Sequence, residues 1–496
     1  MKNYKIKYFV ILFLCGTMLF GSCKKYINET PINAPTTANF WTSEQAAQTG
    51  LAGAYSLLRT ALLSRSSYFT FGDATAGEFA SFNGDIAYTD FNESGQYDFN
   101  YTPYGGVWND WTIFYQLIAQ CNLIINKVPG MAASTFTDDP VATKKQIIGQ
   151  AYFLRAFAYY YITEVWGAPV IVTQVYTNPI TAQPVARSTD AQGFAQVVSD
   201  LTQSISMLQY SYANPTDVAV QANKSAAFAL LSKTYMWQKQ YQPAAAAADS
   251  VIKYGGYTLE PAATYRNIFR GHDQESIFEL YMLYTGADNE ATGDAFNMFL
   301  QAPFIVSQQT AWYVAPTVIN NLYGDTTSTS ADIRVKNNFY GLQTINPILV
   351  KYADVVYQNS GTQTTAYVSD DLVLLRLADI YLTRAEAAAR LGDLGTADMY
   401  LNLVRKRAGV AAYNATGATD LIYEIMDERG REFYGEGSWY FDLYRTGLIS
   451  DPNYDNAVPG YNTDRVNGGG CQWPIGLRAL LQQDPLLVQN KWWASH

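Results

Sequence analysis

Histidine is nearly absent. Only His272 and the terminal His496 occur in 496 residues. A zinc site with several histidine ligands is therefore impossible, and any Ser-His-Asp or Cys-His device would have to use His272. Cysteine is almost as scarce, with Cys15, Cys23, Cys121 and Cys471. Cys121 and Cys471 read as buried free thiols, with a disulfide between them as the alternative. No P-loop and no G-x-G-x-x-G opening a helix is present, which removes the common nucleotide-binding devices. After residue 22 no stretch has the ~20 uninterrupted apolar residues of a membrane helix. Two long windows, 66–126 and 271–333, contain neither Lys nor Arg. The formal net charge is −10, and a surface of that sign repels nucleic-acid backbones.

What is present begins with a leader. Lys2, Lys5 and Lys7 precede the apolar run "FVILFLCGTMLF" (9–20), which ends at "GSC". A basic start, a core too short to span a bilayer and small residues after it form a secretory signal over residues 1–22. Cys23, directly after Gly21-Ser22, resembles the lipidated first residue of a bacterial lipoprotein. The mature chain, 23–496, is then anchored to a membrane rather than embedded in it. We read it as a single domain with an N-terminal part of about 23–220 and a C-terminal part of about 221–496.

Helical periodicity dominates and comes in pairs. In "LLRLADIYLTRAEAAARLGDLGTADMYLNLVRKRAGV" (374–410), Leu374, Leu377, Ala378, Tyr381, Leu382, Ala385 and Ala389 trace one helical face. "LGDLG" breaks it, and a second helix runs to a stop at Gly409. The same shape recurs at 223–256, with a turn near Tyr241-Gln242-Pro243 and an alanine-packed second helix. Its length and alanine placement are similar to a tetratricopeptide repeat. Two looser pairs join 144–166 to 190–210, and 44–63 to 108–128. Four such pairs predict a mostly α fold, a short solenoid whose repeats bury their apolar faces by stacking. Long loop-rich insertions and a few short strands, such as "SIFELYML", interrupt it. Arg155, in the apolar "FLRAF", is expected to snorkel or pair with an acid.

The two cation-free windows are rich in aromatics, unlike disordered segments, and long loops within a compact chain are usually functional. Sugar recognition divides between aromatic platforms for C–H faces and polar groups for hydroxyls. Tyr97, Tyr101 and Tyr104, beside Asp98 and Asn100, are platform candidates, as are Tyr284, Trp312 and Tyr313. Asp73, in "FTFGDATAG", is a candidate hydroxyl acceptor. Core packing is the competing reading for each, and for Trp108 and Trp111, spaced i, i+3, it is the preferred one. His272 reads as a capping or surface residue. No residue set points to a metal or cofactor; calcium bridging carboxylates is an alternative that no motif supports.

Several stretches together resemble the SusD/RagB family of glycan-binding outer-membrane lipoproteins from Bacteroidetes. They are "GQAYFLRAFAYYYITEVWGAPVIV" (149–172), "LLRLADIYLTRAEAAARLG", "LNLVRKRAGV", "DERGREFYGEGSWYFDLYRTG" (427–447) and "WPIGLRALLQQDPLLVQN" (473–490), in that order. The resemblance implies a helical fold on four tetratricopeptide-like pairs, without enzymatic activity. It also implies binding of a polysaccharide or oligosaccharide, display on the outward face of the outer membrane, and delivery to a SusC-like TonB-dependent barrel.

The stretch 427–447 raises the enzyme question directly. Glu428, Glu432 and Glu436 form an i, i+4, i+8 stripe if one helix carries them, and Arg429 and Arg431 stand three residues from Glu432 and Glu428. Like charges at that spacing repel unless cations intervene. Two carboxyls on successive turns of one helix would approach a sugar from the same side, whereas a glycosidase flanks the scissile bond. The preferred reading is a structural charge network. A peptide-binding tetratricopeptide adaptor and a secreted glycosidase are the alternatives to glycan binding, and the long aromatic loops favour sugar over peptide. The absence of Lys and Arg from both windows points to a neutral glycan.

Overall fold

The structure, a computed structural model, describes residues 40–64, 67–81, 108–176, 183–282, 296–306, 308–359 and 364–495. Among the described residues, eight helices make four antiparallel pairs. They are α1 (Glu44–Leu63) with α2 (Thr112–Lys127), and α3 (Pro140–Trp166) with α4 (Asp190–Met207). The shorter helices α7 (Pro316–Tyr323) and α8 (Ile333–Asn338) come in the chain between the third and fourth pairs. Those are α5 (Lys224–Trp237) with α6 (Tyr241–Tyr254), and α9 (Leu377–Arg390) with α10 (Leu394–Ala408). α2 packs on α3, α4 on α5 and α6 on α9, so the pairs stack in chain order. The expected solenoid is present.

Local chemistry sets the ends of these helices. The Asp139 carboxylate caps α3 through the Val141 and Ala142 amides, with Pro140 at its first position, where a missing N–H costs nothing. Thr189 and Gln192 form a reciprocal capping box on α4. α10 stops at Gly409, whose φ of +81° is the left-handed cap that favours glycine. Alanines 226, 227 and 229 of α5 and alanines 244, 245, 247 and 248 of α6 are all buried. Ser232 Oγ donates to Ala244 O at 2.8 Å across the pair.

Two boundaries differ from the sequence reading. The α5–α6 turn occupies 238–240, and Pro243 sits in the first turn of α6, where a proline needs no partner. Leu374 belongs to a strand, β8 (Leu372–Arg376), and the helix starts at Leu377. β8 pairs antiparallel with β2 (Ser276–Leu280), and both strands are buried on both faces. A continuous apolar run of this kind looks the same in a buried strand and a buried helix.

Three more two-stranded ribbons complete the described strands: β1 (Phe79–Ser81) with β3 (Trp312–Val314), β4 (Phe339–Tyr340) with β5 (Ile348–Leu349), and β6 (Val355–Asn359) with β7 (Thr364–Val368). Helix α11 (Ala418–Glu432) lies against α9, and α12 (Trp439–Thr446) against α11, with Arg445 of α12 reaching Glu386 of α9. The closing segment then returns to the second helical pair. Trp473 N donates to Val165 O, and Asn490 Nδ2 to both Trp166 O and Trp473 O. The Gln489 side-chain amide pairs reciprocally with the backbone of Ile475, which gives the Pro-Ile…Gln-Asn motif its physical reason. Arg187 ties the same layer by donating to Trp166 O, Ala168 O, Val488 O and Asn490 Oδ1. Cys121 and Cys471 are free, buried thiols.

Candidate functional site

The three glutamates of 427–447 are the first candidates for chemistry, and all three are enclosed. α11 ends at Glu432, so Glu436 lies in the turn that follows and the stripe is not one continuous helix. Glu432 Oε1 accepts from Arg376 Nη1 at 2.6 Å and from Arg407 Nη2, and its Oε2 from Arg334 Nη1 at 3.0 Å. Glu428 accepts from Arg334 at 2.7 Å and Arg431 at 3.0 Å. Glu436 takes Lys351 Nζ at 2.7 Å and the Nε of Arg376 at 2.8 Å. Glu275, from the turn before β2, closes the set on Arg376 and Arg407.

Arg431 meets Glu428 as its spacing predicts. Arg429 does not meet Glu432. It turns to Asp442 of α12 and Asp379 of α9, at 2.7 Å each, with its guanidinium 5.0 Å from the centre of the Phe433 ring. The cations that neutralise Glu432 arrive from β8, α8 and α10, far away in sequence. Burial alone would raise the Glu432 carboxyl, but Arg407, Arg376 and Arg334 hold it far below the ordinary carboxylate range. An acid saturated by three guanidinium groups has neither a proton to give nor a free oxygen to take one. The stripe is a structural network.

A second set of acids clasps the turn after α11. Both Asp73 oxygens accept from Gly437 N, at 2.9 and 2.8 Å, and Glu78 Oε2 accepts from Gly435 N at 2.9 Å. Gly435 and Gly437 have φ of +70° and +73°, a backbone that bares successive amides. Burial pushes both Asp73 and Glu78 well up from ordinary carboxylate values. Asp73, expected as a hydroxyl acceptor, is fully enclosed and engaged with the backbone. In this conformation it is a fold residue, which corrects the sequence reading.

The remaining candidates separate. Tyr97, Tyr101, Tyr104, Tyr284 and Cys23 lie outside the described residues. Trp312 and Tyr313 sit in β3 and are buried. The Trp312 ring packs 5.5 Å from Phe79 and 5.8 Å from Phe299. β1 comes from the first cation-free window and β3 from the second, and their register pairs Phe79 with Val314, Ala80 with Tyr313 and Ser81 with Trp312. The two windows are thus joined by backbone hydrogen bonds directly beside the clasp. Most of their described acids face inward: Asp73, Glu78, Glu275, Glu279 and Asp332 are all buried. Carboxylate acceptors are correspondingly fewer than the sequence suggests.

An exposed apolar patch beside this ribbon was not anticipated. Val306, Tyr340, Ile345 and Val356 are solvent-exposed. The Phe304 ring meets Tyr340 edge-on at 5.5 Å, and Tyr357 OH donates to Phe304 O at 3.1 Å. Val314 N of β3 donates to Pro347 O of the β4–β5 hairpin, which ties the patch to the ribbon. Ile345 stands alone among polar residues, while Val306, Tyr340 and Val356 sit in apolar runs of two or three, too short to carry a periodic signal.

The other sequence readings resolve simply. Trp108 and Trp111 are core residues. Arg155 is buried and bidentate to Asp200, at 2.8 and 2.6 Å, with Asn122 as a third partner. His272, at a φ of +56°, donates through its amide to Glu279 and through Nδ1 to Val218 O. It shapes the turn into β2. Among the described residues no group of three or more His, Cys, Asp or Glu has metal-holding geometry, and no helix is long and apolar enough to cross a membrane.

Comparison with known proteins bears on this arrangement. Residues 193–492 match the model of the SusD family, and residues 33–236 match a model described as "Starch-binding associating with outer membrane". The chain is 25% identical to SusD-like protein P38 of Formosa agariphila over 99% of both chains. It is 37% identical to the starch-binding protein SusD of Bacteroides thetaiotaomicron over 21% of this chain and 18% of that one. A SusD homologue of known structure from Bacteroides thetaiotaomicron superposes with a TM-score of 0.80 at 21% identity, covering 92% of this chain and 99% of the other. The family model covers more than half of the chain and the fold is that of a SusD homologue: this chain belongs to the SusD family.

Proposed function

We propose that this protein binds a polysaccharide or oligosaccharide at the outer membrane without cleaving it, and passes it to a SusC-like TonB-dependent transporter. Family membership and the starch-binding relative support the glycan as ligand. The observation that carries the reading on this chain is the β1–β3 ribbon, which joins the two aromatic, cation-free windows at one place. Tyr97, Tyr101, Tyr104 and Tyr284 belong to those windows, and Trp312 and Tyr313 anchor their junction. We assign the tyrosines as platform residues. The exposed Tyr340 patch offers a further apolar face beside the β1–β3 ribbon. Non-catalytic binding agrees with carboxylates that are buried and already neutralised.

The ligand should be neutral. Neither window supplies a guanidinium or ammonium group to hold a uronate or sulfate, and such ligands would meet uncompensated charge. Isothermal titration against matched neutral and acidic glycans, with a chelator present to remove calcium bridging, should give binding to the neutral one. Tighter binding to the acidic glycan under those conditions rejects this assignment.

Attachment should depend on Cys23. A single lipidated cysteine, with no membrane-spanning helix among the described residues to support it, makes anchoring an all-or-none property of that residue. Cys23→Ala is expected to move the protein to the soluble fraction or leave it unprocessed. Undiminished membrane association at unchanged mature size would contradict lipidation at this position.

A further inference from the structure

Where α3, α5, α9, α11 and α12 converge there is a cavity of about 50 Å3. Glu164 of α3 borders it, and its Oε1 accepts from Tyr160 OH at 3.0 Å and Trp237 Nε1 at 3.1 Å. Three other polar groups on the same cavity, Tyr161 OH, Ser438 Oγ and Arg429 Nη1, are buried and have no hydrogen-bond partner among the described residues. A buried donor left unsatisfied costs about 1–3 kcal/mol. A water needs roughly 10–15 Å3 of such volume and two to four polar partners. This cavity provides both.

The charged groups around Glu164 are already matched to one another. From α5, Lys233 Nζ is bound to Asp379 of α9 at 2.9 Å. From α11, Arg429 is bound to Asp379 and to Asp442 of α12. Arg445 of α12 holds Asp442 and Glu386. The phenols facing the site are Tyr160 and Tyr161 on α3 and Tyr68 from the segment before the clasp. None of the cations forms an ion pair with Glu164 among the described residues. An ionised Glu164 would therefore be a surplus buried charge, which the low-dielectric interior penalises.

We propose that this cavity is a hydrated proton site, in which water links Glu164 to Tyr161, Ser438 and Arg429 and the Glu164 carboxyl exchanges one proton with that water. The proton leaves the carboxyl O–H as the carboxylate forms and is carried away by water. Burial, opposed by Lys233 and by the Tyr160 and Trp237 hydrogen bonds, pushes the carboxyl up to about 7. The sign of the linkage follows. The unfolded chain ionises Glu164 near 4.5 and the folded chain near 7, so between these values the folded state holds a proton that the unfolded state has lost. Stability from this group is complete below about 4.5, falls as pH rises, and is lost above about 7. The proposal goes beyond glycan binding and does not depend on it.

Urea unfolding of the wild type and Glu164→Gln, from pH 4.5 to 8, tests it. The ratio of the two unfolding constants should change about tenfold per pH unit between about 5 and 7 and level off above that. Using the ratio removes other groups that titrate in the same range, such as Asp370. A constant ratio overturns the proposal. Should Glu164→Gln fail to fold, Trp237→Phe keeps the ring and removes one hydrogen bond to the carboxylate. It should then move the infrared carboxyl titration of Glu164 to higher pH, and an unmoved titration overturns the proposal. A crystal structure should show ordered water within reach of Tyr161, Ser438 or Arg429. A dry cavity, or an ion in place of water, rejects the hydrated site.

Discussion

Replacing Glu432 with alanine is expected to destabilise the protein by about 3–5 kcal/mol, the usual result of removing one partner from a buried ion network. The loss is large because Arg334, Arg376 and Arg407 all converge on this carboxylate at full burial. Without it, three guanidinium groups keep their desolvation cost and lose their shared acceptor. Glu432→Gln keeps the shape and one acceptor oxygen but sets an amide donor against a guanidinium, so its penalty should be smaller but in the same direction. The pH dependence follows from the depressed carboxyl. Its contribution is present above the unfolded value of about 4.5 and is lost as pH falls. Wild-type stability should therefore drop below that pH, and Glu432→Ala should lose less there. Chemical denaturation at several pH values measures both. An unchanged midpoint in the alanine variant, or glycan hydrolysis by the wild type that the variant loses, contradicts a structural role.

Gly72→Ala is expected to be at least as damaging. A Cβ on Gly72 would lie 2.0 Å from Gly437 O and 2.1 Å from Gly437 C, both of them backbone atoms. No rotamer can relieve that contact, because two main chains touch there. Separating them also pulls the Gly437 amide off Asp73 and strands a buried carboxyl. Overpacking costs typically ~1–3 kcal/mol where side chains can yield, and here only the backbone can. Gly53, inside α1, makes the control: a Cβ there meets nothing within 4 Å. Gly53→Ala should stabilise the protein by up to about 1 kcal/mol through helix propensity alone. Thermal and urea unfolding of both variants compare them, and a Gly72→Ala protein as stable as wild type would refute the close approach.

The helical pairs were legible because their signals are local. Apolar residues at helical spacing, alanines where two helices touch and glycine at the stops each follow from neighbours in the chain. Arg155 was legible as a charge needing an acid, but its partner Asp200 stands on the next helix and has no sequence mark. The glutamate stripe was recognisable as a charge knot and Arg431 as the partner of Glu428, yet the counter-ion of Glu432 was misassigned. Arg429 is three residues from Glu432, while Arg376 and Arg407 become neighbours only through the fold. The break after Glu432 had a signal in "FYGEGS", where two glycines two residues apart allow the amides to turn outward. Asp73 had none. A carboxylate that holds a distant backbone turn and one that waits for a sugar look alike in sequence. Trp312 shows the same ambiguity for rings, since an indole suits a core and a sugar platform equally well.

The Asp73–Gly437 clasp and the Asn490 contacts with Trp166 have a kinetic meaning. The clasp joins residues separated by 364 positions, and Asn490 reaches back 324. A chain that emerges from its N-terminus can form α1 to α4 early, but their last contacts arrive only with its final residues. Contacts of such separation slow folding, because loop entropy is spent before they form. The nascent chain therefore stays incomplete, with the Trp166 layer open, until the segment that carries Asn490 has been made. A body that cannot close early stays open for longer, and its late residues lock it.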